Sequence, residues 1–246
     1  MQGYLLPCTP QMQPSLLLPL YHTVQQLRFM SNNNLNSGKK GTNSFHHKRY
    51  LRPYATALGC LWKPKKNVVN YLLQQGSPVD EADDTNWTPL MIAASVGCAE
   101  IVSALISRGA DVNAINETGQ TSLHYVASKN RDEIVRILLA NHANINAADN
   151  MGSTPLHRAA SKGNIKILKI FLEDYSNQLD VDARDCVRNT PLHLACEEER
   201  MEAAKMLIEA GASIDTLNKE KKNPIEMARP QFHSTLRRMA EAVLYP

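Results

Sequence analysis

Three histidines stand at regular intervals, His124, His157 and His193, each three places after a threonine. Imidazoles can bind a metal or relay protons, but either task needs them to converge on one point. Members of a repeating series are instead held apart in parallel. The expectation is therefore a local hydrogen-bonding role, with no metal site. The five cysteines, Cys8, Cys60, Cys98, Cys186 and Cys196, form no C-x-x-C pair, and the simple reading is reduced thiols in a reducing compartment. There is no glycine-rich phosphate loop, no H-E-x-x-H and no nucleophile elbow. The sequence predicts no catalytic residues and no cofactor.

The elements that position the histidines explain them better. Thr88-Pro89-Leu90-Met91-Ile92-Ala93-Ala94 recurs as Thr121-Ser122-Leu123-His124-Tyr125-Val126-Ala127, Thr154-Pro155-Leu156-His157-Arg158-Ala159-Ala160 and Thr190-Pro191-Leu192-His193-Leu194-Ala195-Cys196. The threonines are 33, 33 and 36 residues apart, and a weaker copy begins at Asn223. Threonine suits a helix N-cap and proline the first helical turn. The leucines face a core, and the small pairs let helices approach closely. A second helix follows in each copy, with apolar pairs such as Ile101/Val102 and Leu105/Ile106. Gly76, Gly109 and Gly211 are placed to end these helices at positive φ. Neither helix is long enough to stand alone in water.

This period and motif resemble the ankyrin repeat. The fold expected is an all-α ankyrin-repeat solenoid of stacked helix pairs with β-hairpin fingers. Residues 56–246 are expected to form it. They divide into a degraded repeat at 56–82, repeats at 83–115, 116–148, 149–184 and 185–217, and a C-terminal cap at 218–246. Residues 56–62 would be the decayed first helix of the degraded copy. Such a solenoid works by offering an extended concave surface to a partner.

Finger tips and first-helix ends would line that surface. It would run from apolar and aromatic (Trp87, Ile92, Tyr125), with Gln120 beside them, to basic (Lys129, Arg131, Arg158, Lys162). It then turns acidic (Glu197, Glu198, Glu199). A partner of opposite charge order would be fixed in register.

Charge separates the N-terminal part from the rest. Residues 1–66 hold nine Lys/Arg and no Asp or Glu, whereas residues 67–246 hold 18 Lys/Arg and 24 Asp/Glu. The mildly acidic repeat region argues against nucleic-acid binding. Residues 1–55 read as a basic, disordered segment. A mitochondrial transit peptide, a basic tail for an acidic surface, and a stretch without function all remain open for it. No apolar run is long enough to span a membrane.

Several stretches go beyond the repeat consensus. Ala127-Ser128-Lys129-Asn130-Arg131-Asp132-Glu133-Ile134, Asn189 through Arg200, Gly211-Ala212-Ser213-Ile214, Asn218 through Lys222 and Leu236-Arg237-Arg238-Met239 resemble the gankyrin family. So does His157 through Asn164. The resemblance covers residues 67–246. It implies a chaperone of proteasome regulatory-particle assembly, acting as a monomer in cytoplasm and nucleus. Its partner would be the C-terminal domain of one proteasomal ATPase-ring subunit, clasped along the concave face. Animal members are linked to cyclin-dependent kinase and retinoblastoma-type proteins. Leu194, Cys196 and Glu198 spell the L-x-C-x-E pattern that retinoblastoma-type pockets recognise in extended peptides, although here they fall on helix positions. The alternative is a generic ankyrin adaptor or a regulator in those kinase and retinoblastoma pathways. Two departures stand out: residues 1–66 replace the family's first repeats, and three extra residues around Ser176-Asn177-Gln178 should bulge a loop.

Overall fold

The computed structural model describes residues 66–244. The expectations for residues 1–55 and for a decayed helix at 56–62 lie outside them. Eleven α-helices occur among the described residues. They are α1 (Lys66–Gln74), α2 (Pro89–Val96), α3 (Ala99–Ile106), α4 (Ser122–Ser128), α5 (Asp132–Ala140), α6 (Pro155–Lys162), α7 (Ile165–Lys169), α8 (Pro191–Glu197), α9 (Met201–Glu209), α10 (Pro224–Met227) and α11 (Pro230–Leu244). The inner helices start at Pro89, Ser122, Pro155, Pro191 and Pro224, where proline at the first turn or a capping threonine permits it.

The helices stack in two rows. The inner row is α2, α4, α6, α8 and α10; the outer row is α1, α3, α5, α7, α9 and α11. The core lies between and within the rows. Leu90, Leu123, Leu156 and Leu192 are buried, as are the small residues Ala93, Ala94, Ala127, Ala159, Ala160, Ala195 and Cys196. Outer helices contribute Ile101, Val102, Ile134, Val135, Ile167, Leu168, Ala203 and Ala204. Each fully buried Leu contributes roughly 1.5–3 kcal/mol.

No strand occurs among the described residues, so the fingers lack the β-ladder expected of hairpins. Each finger is closed by one backbone bond across its base, such as Asp83 N–H to Trp87 O (3.0 Å), and by a carboxylate or amide at its first residue. Oδ1 of Asp83 accepts from the N–H groups of Thr85 and Trp87, and Asn116 does so from Thr118 and Gln120. Asp149 serves Met151 and Ser153, Asp185 serves Val187 and Asn189, and Asn218 serves Glu220 and Lys222. A side chain that accepts twice reinforces that single backbone bond. Neighbouring fingers are joined by one backbone bond each, such as Glu117 N–H to Thr85 O (3.1 Å) and Lys219 N–H to Val187 O (2.9 Å).

The three extra residues are absorbed where α7 ends. The helix continues into a π-helical turn, Ile170–Asp174, and then a loop. Asn146 ties that loop down: its Nδ2 donates to Gln178 O (2.6 Å) and its Oδ1 accepts from Asp180 N–H (2.9 Å). The turn still buries Ile170 and Phe171.

Candidate interaction face

The histidines join one repeat to the next. His124 Nδ1 accepts from Thr121 N–H, and Nε2 reaches Ser153 O in the following finger (3.1 and 3.0 Å). His157 does the same between Thr154 and Asn189 O, and His193 between Thr190 and Lys222 O. Nδ1 receives a backbone N–H, so the proton must sit on Nε2 and donate to the carbonyl. Histidine thus takes the place of Glu or Gln in a capping box. Burial holds all three below the ordinary value of 6.5, partly offset by the carbonyl bonds to Nε2. No group of three or more metal-ligating side chains occurs among the described residues.

The face along the fingers and inner helices carries most of the expected contact residues. Trp87 and Tyr125 are half-buried and meet with ring centroids 4.5 Å apart, tilted by 42°. The Tyr125 hydroxyl accepts from Asn116 Nδ2 (2.8 Å), and burial raises its pKa despite that bond. Arg158 bonds Asp149 Oδ2 at 2.5 Å, and Gln120 Nε2 reaches the same oxygen at 3.4 Å. Burial alone would raise the Asp149 pKa; the bonds from Arg158, Ser153 and Gln120 outweigh it and hold the carboxyl below its ordinary range. The Arg158 Nε is buried without a hydrogen-bond partner.

Ile92 corrects the sequence reading. It is only 7% exposed and belongs to the core. Ile92, Tyr125, Arg158 and Leu194 each stand nine places after the first residue of their finger. Tyr125 and Arg158 carry a polar end across to Asn116 and Asp149, and Leu194 is half-buried; Ile92 alone of the four packs into the core.

The basic residues divide by what they hold. Lys129 Nζ donates to Ser95 O and Oγ (3.2 and 2.8 Å), and Arg131 reaches Val96 O at 3.4 Å. Both therefore neutralise carbonyls at the C-terminal end of α2, where cations are favoured. Asn164 repeats this on Ala127 O and Ser128 O, and Arg200 on Ser161 O. These cations are inter-repeat ties as well as exposed charges. Lys162 is exposed at the end of α6. On the acidic side Glu197 and Glu198 are exposed, whereas Glu199 is half-buried and pairs with Arg229 at 2.5 Å.

Leu194, Cys196 and Glu198 cannot be offered as an extended peptide. Leu194 and Cys196 lie in α8 and Glu198 caps it, with Leu194 half-buried and Cys196 1% exposed. Burial pushes the Cys196 thiol up to about 12, so it is inert. A helix turns residues two apart to different sides, whereas pocket recognition of an extended segment needs them on one.

Two rows escaped the sequence reading: the finger-closing series Asp83, Asn116, Asp149, Asp185 and Asn218, and a second series at the base of the stack. There Asp80 accepts from Asp111 N–H, Asn113 from Asn144, Asn146 from Asp180 and Asp182 from Ser213. Both recur at the motif's own spacings, which is the signal that could have found them.

No helix among the described residues is long and apolar enough to cross a membrane. A family model described as ankyrin repeats (3 copies) matches residues 59–149 and 143–218. No curated protein matches the chain.

Proposed function

The chain belongs to the ankyrin-repeat family, whose repeats carry protein–protein interactions, and from that premise we propose that it is a chaperone of proteasome regulatory-particle assembly. Its face of fingers and inner helices would clasp the C-terminal domain of one ATPase-ring subunit, in cytoplasm and nucleus. The binding unit would be residues 56–246, divided as the repeats are. The choice of partner rests on the resemblance of residues 67–246 to the gankyrin family. The observation that carries a clasp is the order of groups along the stacked inner row. An aromatic pair, Trp87 and Tyr125, comes first; Arg158 and Lys162 follow; Glu197 and Glu198 close the row. Aromatic and arginine anchors are the commonest hot spots, and ordered charge sets register.

The structure guides the choice of variants. Lys162→Glu, and Glu197→Lys with Glu198→Lys, reverse exposed charges at the ends of α6 and α8. Lys129, Arg131 and Glu199 are poorer choices because their loss would loosen the stack. Capture of a recombinant proteasomal ATPase C-terminal domain should fall at least about tenfold with each reversal, at unchanged helical circular dichroism. Capture of a cyclin-dependent kinase in place of the ATPase domain would favour the regulator reading.

A further inference from the structure

The fourth residue of every finger has positive φ: Asn86 (59°), Gly119 (75°), Gly152 (73°), Arg188 (65°) and Lys221 (59°). In that region an L side chain crowds the next carbonyl, so glycine and asparagine are the easy choices. The first three fingers use them. The fourth and fifth place long cations there instead. Backbone strain of this kind, where an easier residue exists, points toward function.

The surroundings tell what the function would be. The fourth finger carries Arg188, with Arg184 immediately before it, and the fifth Lys219, Lys221 and Lys222, all exposed. Two carboxylates share these fingers, and both are engaged: Asp185 closes its own finger, and Glu220 pairs with Lys222 at 2.8 Å. The first two fingers carry Asp84 and Glu117 at their tips, so charge along the fingers runs from acidic to basic. That order is opposite to the one along the inner helices. The basic fingers also expose apolar groups. Val187 is 37% and Leu217 50% exposed, and Met151, in the finger joined to the fourth by Cys186 N–H to Met151 O (2.7 Å), is 57% exposed. The turns that present them are fixed by two side-chain bonds each, so little entropy is lost on docking.

We infer that the tips of the third, fourth and fifth fingers form a second docking surface, for an acidic protein segment that carries apolar side chains. Phosphates would answer the cations but leave Met151, Val187 and Leu217 unanswered; an acidic segment with Leu or Phe answers both. This surface borders the proposed clasp but shares none of Trp87, Tyr125, Arg158, Lys162, Glu197 and Glu198 with it.

The test uses the full chain and two short synthetic peptides, one of Glu interrupted by Leu and Phe, the other of Glu alone, with a single-stranded oligonucleotide as the rival. The mixed peptide should bind most tightly, and more weakly as salt rises. Arg188→Glu with Lys221→Glu should weaken it at least tenfold, and Met151→Ser with Val187→Ser should weaken the mixed peptide but not the Glu-only one. Arg188→Gly with Lys221→Gly should lose binding while raising the thermal midpoint, a pairing that a purely structural role for these residues does not produce. Lys162→Glu should leave peptide binding unchanged. Binding undiminished by Arg188→Glu with Lys221→Glu would overturn the inference. Tighter binding of the oligonucleotide than of the mixed peptide would overturn it too, and assign the fingers to phosphate.

Discussion

Replacing His157 by Gln should leave the stack folded but change how its stability depends on pH. Gln can accept the Thr154 N–H and donate to Asn189 O without titrating. The native imidazoles are held neutral, below the 6.5 at which an ordinary histidine titrates. Below about pH 6.5 the unfolded chain therefore binds more protons than the folded one, and stability falls as pH drops toward the folded values. Above that range the histidine contribution is complete. Urea midpoints of wild type should decline between pH 7 and pH 5, and the decline should be shallower in His157→Gln; an identical slope would show that His157 does not titrate out of the fold. Asp149 gives a second residue-scale prediction. Asp149→Asn keeps the acceptor for Met151 and Ser153, as Asn116 and Asn218 do in their own fingers. Asp149→Ala strands those N–H groups and Arg158, and should cost about 1–3 kcal/mol more than the Asn variant in denaturant unfolding. Equal costs would remove the finger-closing role.

At the scale of the element, the helix pair is the unit that the sequence spelled most clearly. Thr-Pro at the inner helix start and paired apolar residues in the outer helix are local signals, and the inner helices begin where those signals stand. Leu156, wholly buried in α6, is the natural probe: Leu156→Ala should cost roughly 2–5 kcal/mol, read by chemical denaturation. The fingers were harder to read. Asp83, Asn116, Asp149, Asp185 and Asn218 look like ordinary loop polar residues until their bonds are seen, and a β-ladder is expected where one backbone bond and a side chain do the closing. The face was legible in part. Trp87, Tyr125, Lys162, Glu197 and Glu198 lie at the surface, but nothing in a linear pattern tells that Lys129 and Arg131 reach the carbonyls of α2, because that tie spans 34 and 35 residues. Ile92 shares the register of Tyr125 and Arg158, and nothing in a linear pattern tells that it packs into the core.

For the whole molecule, stability and recognition are both built by repetition. Successive repeats are bound by finger-to-finger backbone bonds, by amides or carboxylates at the base and by a cation or Asn164 at the head of an outer helix, and three junctions add a histidine bridge; Met91 stands in its place in the 83–115 repeat. A solenoid built this way tolerates local departures, since each repeat answers only to its neighbours; the π-helical turn after α7 is one such departure. The same stacking brings groups far apart in the chain into one row and so turns sequence order into surface order. The most direct measurement of the central claim is capture of a proteasomal ATPase C-terminal domain by wild type, by Lys162→Glu and by Glu197→Lys with Glu198→Lys, at low and high salt. The account predicts salt-sensitive capture by wild type and its loss in both variants with helical content unchanged. Undiminished capture by both variants, or capture indifferent to salt, would contradict it.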